Sequence, residues 1–280
     1  MFSVVIPAHN EENVIGRCLE ALFGKESKGD KEVIVVCNGC NDRTAEIART
    51  FPGVQVIELE EASKIAALNE GDSAASLFPR VYLDADITCS LRDLERCIEN
   101  MGEQHGIAAP TSHMRLEHSS WLVKAYFKTW MDLPYYKSGH MVGSGVFILT
   151  EDGRDRFKAW PKIIADDAFV RALFKFDEIY VDPESHFDIH APRKLSGLIK
   201  IRTRARFGNI ELESRFPELK VLGENSQGSL LKLLAQKPMH FLHWLTYVIT
   251  QLIVIRNCKK KIKSNDFSRW ERDDSARVRH

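Results

Sequence analysis

The chain has 280 residues, enough for one large domain or two small ones, and its 44% hydrophobic and 28% charged residues can bury a sizeable core. Lysine plus arginine equals aspartate plus glutamate at 39 each, so no global field favours nucleic acid and any electrostatic partner must be met locally. Six cysteines are too few for a disulfide scaffold, and MFSVVIPAHN has neither the basic start nor the small-residue cleavage site of a signal peptide; a reducing cytoplasm is the expected setting.

In chain order, residues 2–7 (FSVVIP), 32–37 (EVIVVC), 54–59 (VQVIEL) and 80–83 (RVYL) read as strands. Between them, EENVIGRCLEALF places Val14, Cys18, Leu19 and Leu22 at helical spacing, and DRTAEIARTF and SKIAALNEGDSAASLF follow the same period. Repeated βαβ units imply a parallel sheet with right-handed crossovers, in which ligands sit beyond the carboxyl ends of the strands. The segments there are AHNEE, NGCND and DADIT. Singly, each reads as a capped polar turn; together on one edge they point to a site. In DADIT, Asp84 and Asp86 are two residues apart and face one side of an extended chain, and like charges that close call for a cation. Cys37 and Cys40 form a lone CNGC, a redox pair or half a zinc site; with no second CxxC or His pair at zinc spacing, neither role is expected.

The second half is less regular. Residues 113–137 are rich in aromatics, GSGVFILT (143–150) reads as a turn into a strand, and ADDAFVRALFKF (165–176) reads as a helix with acids in its first turn, where the helix dipole favours them. From residue 192, Arg193, Lys194, Lys200, Arg202, Arg204 and Arg206 run without an acid, as a solvated face or a phosphate-binding segment. Residues 239–255 (MHFLHWLTYVITQLIVI) form an apolar run followed by RNCKKKIK. That run is near the lower length limit for a bilayer span; a membrane-surface helix with a basic flank, or a buried packing or oligomer helix, fits equally well.

The motifs VVIPAHNEENVIGRCLEAL, EVIVVCNGCNDRTAEIA, SKIAALNEG, VYLDADI, GSGVFIL and ADDAFVRAL, in this order, resemble the family 2 glycosyltransferases of the GT-A fold. The resemblance covers roughly residues 2–176 and implies an α/β catalytic domain, a Rossmann-type mostly parallel sheet flanked by helices, taken here as residues 1–210. Residues 211–280 would follow as a helical, partly basic extension. It further implies that Pro7, Ala8, Asn10 and Glu11 line the nucleotide base and ribose, that Asn38 and Asp42 belong to the base-recognising turn, and that Lys64 lies near the nucleotide. Asp84 and Asp86 match the DxD motif that holds a divalent metal, Mn²⁺ or Mg²⁺. Asp167, or its neighbour Asp166, matches the catalytic acid residue that deprotonates the acceptor hydroxyl.

Elementary chemistry agrees with these roles. A diphosphate leaves the sugar it carries only if its growing negative charge is offset, for which hard oxygen ligands and a divalent ion are suited. A hydroxyl is a weak nucleophile and needs a carboxylate in hydrogen-bond reach. The donor turn reads Cys37, Asn38, Gly39 where the family usually has two acids and glycine; a UDP-sugar is favoured, with GDP-sugars and other donors open. The glycines of GSGVF are either a tight turn or a place where a sugar meets the backbone, and Arg202, Arg204 and Arg206 are candidates for a lid over the diphosphate. Without a bundle of membrane spans, a processive synthase is not expected. The resulting expectation is an inverting, metal-dependent transferase using a nucleotide-sugar donor and a saccharide or lipid-linked acceptor, at work in the cytoplasm or on the inner face of the membrane, with peripheral contact through 239–263 and oligomers open. Two alternatives remain: LDADIT as the DxDxT nucleophile motif of haloacid dehalogenase-like phosphatases, with Asp84 attacking a phosphoryl group, and a catalytically silent scaffold that recruits a membrane or partner.

Overall fold

A computed structural model describes residues 1–24, 31–133, 136, 145–219 and 241–264. Strand β1 (Phe2–Ala8) is buried along its whole length, as an apolar run with both faces covered should be. It pairs in parallel with β2 (Lys31–Asn38) on one side and β4 (Arg80–Leu83) on the other, and β2 pairs in parallel with β3 (Val54–Leu59). The crossovers are α1 (Ile15–Phe23), α2 (Thr44–Arg49) and α3 (Lys64–Ala74). These are the four strands and three helices read from the apolar periods.

The remaining elements are β5 (Thr88–Cys89), α4 (Leu91–Asn100), β6 (Ile107–Arg115), α5 (Trp121–Trp130), β7 (Val146–Leu149), α6 (Glu151–Arg154), α7 (Asp166–Ala172), β8 (Ile179–His190), α8 (Leu195–Arg215) and α9 (Phe241–Ser264). The sheet order is β3-β2-β1-β4-β7-β6-β8-β5. From β1 the chain builds outward through β2 to β3, then α3 returns it to the other side of β1 as β4. The order therefore reverses between β1 and β4, and the crevice beyond their carboxyl ends is where an open α/β sheet places a ligand.

Beyond β4 the sheet is mixed: β7 runs antiparallel to both β4 and β6, β6 is parallel to β8, and β5 is antiparallel to β8. The sequence reading gave no element to β5, α4, β6 or β8. Strands β6 and β8 carry Pro110 and Pro183, and the register shifts between Pro110/Thr111: Pro110 faces Asp182, whereas Thr111 faces His186. The extra residues on β8 break the alternation from which a strand is read.

Among the described residues, buried side chains form three clusters. Leu19 and Leu22 of α1 and Leu94 of α4 pack on one face of the sheet; Leu68 of α3, Phe169 of α7 and Leu212 of α8 pack on the other. The third joins α5 to α9 through Val123, Tyr126, Trp130 and Tyr247. Each fully buried Leu or Ile contributes roughly 2 kcal/mol. Helix α8 runs without interruption across residue 210, and α9 lies against both α5 and α8. No helix among the described residues is long and apolar enough to cross a membrane.

Candidate active site

The segments after β1 and β2 are stitched into one unit. The Asn10 side-chain oxygen accepts from the Asn41 N–H at 2.7 Å, and the Glu11 N–H donates to the Thr44 hydroxyl at 2.7 Å. Asp42 accepts from the Glu12 N–H at 3.1 Å and from Thr44 N–H and Oγ1 at 3.0 and 2.5 Å. His9 Nδ1 donates to the Asn38 carbonyl at 2.6 Å, and Asn38 Nδ2 donates to the Ala8 carbonyl at 2.9 Å. Asn10 has a φ of 52°, a left-handed conformation that Asn tolerates better than most residues. Gly39 has a φ of 56°, and a Cβ there would lie 2.7 Å from Ala62 Cα, so the turn after β2 needs glycine on both counts.

Pro7 and Ala8 are buried in β1 and Glu11 is 7% exposed. Within these two loops, side-chain bonds of Asn38 and Asp42 hold the chain together. Cys40 joins the same unit: its sulfur accepts from the Asn10 N–H at 3.4 Å. The neighbouring Cys37 thiol, donating to it, brings Cys40 down to about 7, whereas hydrogen bonding to Cys40 and burial push Cys37 up.

Asp84 and Asp86 follow β4 at the reversal point. The Asp84 N–H donates to the Gly145 carbonyl at 2.7 Å and its own carbonyl accepts from the Ile87 N–H at 3.1 Å, which closes the loop into a turn. A Cβ on Gly145 would come within 2.7 Å of Ile87 Cγ1, so this glycine lets the strand opposite approach the acidic loop. Gly143, the other glycine of the GSGVF reading, lies outside the described residues.

Lys64, the first residue of α3, ties the acids together. Ser63 caps the helix by accepting from the Ala66 N–H at 3.1 Å, which directs Lys64 back toward the strand ends. Lys64 Nζ lies 2.8 Å from Asp84 Oδ1 and 2.9 Å from Asp166 Oδ2. Burial opposes its charge, but the carboxylates of Asp166 and Asp84 hold the ammonium above its ordinary range. Burial pushes the Asp84 carboxyl up against the pull of Lys64, and the carboxylates of Asp86 and Asp166 add to that.

Asp166 and Asp167 open α7 but differ in setting. Asp166 is 4% exposed and ion-paired to Lys64. Asp167 is partly exposed, and its Oδ1 accepts from the Ala168 N–H at 2.8 Å.

Two side chains at this edge carried no signal in the sequence. Arg17 of α1 reaches the Asp86 carbonyl through Nη2 at 3.5 Å, and Asp86 offsets part of the burial that lowers the Arg17 pKa. His190, at the end of β8, meets Thr88 Oγ1 through Nε2 at 3.2 Å; burial lowers its pKa, Arg17 lowers it further, and Asp188 and Asp86 oppose that. Arg17 looks like any charged residue of an amphipathic helix, and His190 ends a strand that the pattern does not reveal. The three lid candidates lie on α8: Arg202 stacks over the Trp130 ring at 5.7 Å, and Arg206 sits close enough to Cys258 of α9 to act on its titration.

Chemically, the edge offers hard oxygen ligands at Asp84 and Asp86, a half-buried cation at Lys64 and a partly exposed carboxylate at Asp167. No group of three or more His, Cys, Asp or Glu among the described residues is arranged to hold a metal ion by itself.

The comparisons with known proteins agree with one another. The pattern of Glycosyl transferase family 2 matches residues 3–160. Glycosyltransferase AglE of Haloferax volcanii is 36% identical over 105 residues, which are 35% of this chain and 34% of that protein. A 4,4'-diaponeurosporenoate glycosyltransferase of Staphylococcus aureus is 26% identical over 157 residues, 54% of this chain and 40% of that one. The matches thus span well under two thirds of either relative. Among solved structures, the mannosyltransferase PcManGT of Pyrobaculum calidifontis, in complex with GDP-Man and Mn²⁺, superposes with a TM-score of 0.67 at 17% identity over 95% of this chain and 87% of that one. Glucosyl-3-phosphoglycerate synthase of Mycobacterium tuberculosis, with Mn²⁺, UDP-glucose and phosphoglyceric acid, gives a TM-score of 0.53 at 22% identity over 77% and 79%. At those identities the likeness is one of fold, the mixed sheet flanked by helices expected from the motifs. The family match includes the DADIT segment and removes the ground for reading it as a phosphatase nucleophile. With its pattern matched over more than half of its length, the chain belongs to glycosyl transferase family 2.

Proposed function

We propose that the chain transfers a sugar from a nucleotide-diphosphate donor to an acceptor hydroxyl, with inversion, and that Asp84, Asp86 and Asp167 divide the work. The observation that carries this reading is Lys64, held between Asp84 and Asp166 at 2.8 and 2.9 Å, which fixes the acidic loop after β4 against the first turn of α7. A metal site and a base are thereby braced against each other on one sheet edge.

Asp84 and Asp86 would hold Mn²⁺ or Mg²⁺. The fit rests on two carboxylates with hard oxygen donors, one of them already drawing a cation in Lys64. The ion, when bound, supplies positive charge to the diphosphate as it leaves. The chain's own residues do the rest. Asp166, buried and paired, keeps Lys64 in place; Asp167, less buried and one residue on, takes the proton of the acceptor hydroxyl. One base acting on the face opposite the leaving group gives inversion. The stitched loops after β1 and β2, with Pro7, Ala8, Asn10, Glu11, Asn38 and Asp42, form the donor side. Solved relatives in fold carry GDP-Man or UDP-glucose with Mn²⁺, and a UDP-sugar remains the favoured donor, with GDP-sugars next. The acceptor is a saccharide or a lipid-linked saccharide, in keeping with an envelope glycan.

The test is transfer by single-site variants. Asp167→Asn should lose turnover by about 10²–10⁴-fold, the usual worth of a general base, while the transferred sugar in wild type has the anomeric configuration opposite to the donor's. Unchanged turnover in Asp167→Asn, or retained configuration in the product, would contradict the assignment.

A further inference from the structure

Helix α9 exposes one narrow arc along its length. Leu242, Leu245, Ile249 and Leu252 recur at intervals of three and four, and are 60%, 42%, 47% and 61% exposed. Arg256, Lys259 and Lys263 continue the same arc at the same spacing, with Lys260 beside them, and all four are exposed. The opposite side, with Trp244, Tyr247, Val254 and Cys258, is buried against the body of the protein. The outer face is therefore apolar in its first half and cationic in its second.

Helix α5 widens the apolar half. The two helices run the same way: the Trp121 and His243 rings lie 5.9 Å apart, and Tyr126 stacks on Tyr247 at 5.0 Å. Trp121 and Leu122 are 54% and 41% exposed there, and Lys124 and Lys128 are exposed on the same helix. Neither α5 nor α9 contains an acid.

We infer that this face docks on an anionic lipid bilayer. Exposed leucines and isoleucines beside a tryptophan suit the boundary between headgroups and acyl chains, and cations at one end suit anionic headgroups. Leu252, Ile255, Arg256, Lys259, Lys260 and Lys263, all on α9, line a shallow open depression where the apolar and cationic halves meet. Charge argues against a second copy of the chain on this face. Parallel pairing would set the cationic halves against each other, and antiparallel pairing would lay them on leucines. The exposed apolar part covers about 16 Å of helix axis, enough to dip into the interface. The inference rests on this surface alone and stands apart from the donor chemistry.

The experiment is sedimentation of the full chain with vesicles of phosphatidylcholine alone or mixed with phosphatidylglycerol. Binding to the mixed vesicles and not to pure phosphatidylcholine, weakened by salt, is the expected result. Leu245→Asp/Leu252→Asp should abolish it, and Lys259→Glu/Lys260→Glu/Lys263→Glu should weaken it by at least about a hundred-fold, from roughly fivefold per lysine. Unaltered thermal unfolding of both variants shows that they are folded. Failure of the folded wild type to bind mixed vesicles, binding that ignores both variants, or a wild-type dimer in solution that Leu245→Asp/Leu252→Asp splits without any vesicle binding would each overturn the inference.

Discussion

Four carboxylates, Asp84, Asp86, Asp166 and Asp167, crowd the carboxyl edge of the sheet, and single residues decide how they are tolerated. Lys64 bridges Asp84 and Asp166, offsetting part of their charge, while Asp86 lies near Arg17 and Asp167 is partly open. Cys40 is a second local adjustment. With its pKa brought down to about 7 by the Cys37 thiol and its side chain partly exposed, Cys40 should be alkylated by iodoacetamide at a rate that rises as pH rises through about 7. Cys18 and Cys97, buried with raised pKa values, should stay unmodified in the folded protein. Mass spectrometry of the digested protein reads this directly; a Cys40 rate that begins to climb only above pH 8.5, the ordinary thiol range, would contradict the contact. The acids of the candidate site stand out in the sequence because their spacing and place at element ends are local properties. Arg17 and His190 do not, since their nearness to Asp86 and Thr88 comes from how α1 and β8 fold over that edge.

At the scale of elements, α3 is held at both ends. Its first residue is Lys64, and eight residues on, about 12 Å along the axis, Asp72 accepts from Arg80 Nη1 at 2.7 Å, Arg154 Nε at 2.9 Å, Tyr82 OH at 2.5 Å and Trp160 Nε1 at 2.6 Å. Asp72, Arg80 and Arg154 side chains are 7%, 8% and 11% exposed. Asp72→Ala would leave two guanidinium groups buried without their carboxylate, a loss of about 3–5 kcal/mol. Urea unfolding should show the free energy of unfolding falling by that amount, with a lower midpoint, and an unchanged midpoint would mean that the cluster adds nothing to stability. Strands β1 to β4 were legible because buried parallel strands are continuous apolar runs. Strands β6 and β8 were not, because each carries a proline and the extra residues opposite Pro110/Thr111 destroy alternation. Helix α4 was legible in principle, with Ser90 accepting from the Asp93 N–H and Leu91, Leu94 and Cys97 facing inward, and went unread.

At the scale of the whole molecule, the reversal of strand order between β1 and β4 brings the loops after β1, β2 and β4 to one edge, and β7 hydrogen-bonds alongside β4 to bring in Gly145. The first half of the chain thus builds the edge to which the proposal assigns the donor, and α7 adds carboxylates from the second half. The apolar run at 239–255 was ambiguous in sequence between a span, a surface helix and a packing helix; α9 is a packed helix with an exposed arc, not a candidate span. The proposed division of labour at the site makes a single separable demand on the molecule. The most direct test follows thermal unfolding of wild type, Asp86→Ala and Asp167→Asn with Mn²⁺ and each of UDP-, GDP-, CDP- and dTDP-sugars, since a ligand bound to the native state raises the midpoint by mass action. One donor should raise the midpoint of wild type and Asp167→Asn alike and leave Asp86→Ala unmoved. No shift with any nucleotide sugar, or an equal shift in Asp86→Ala, would contradict the account.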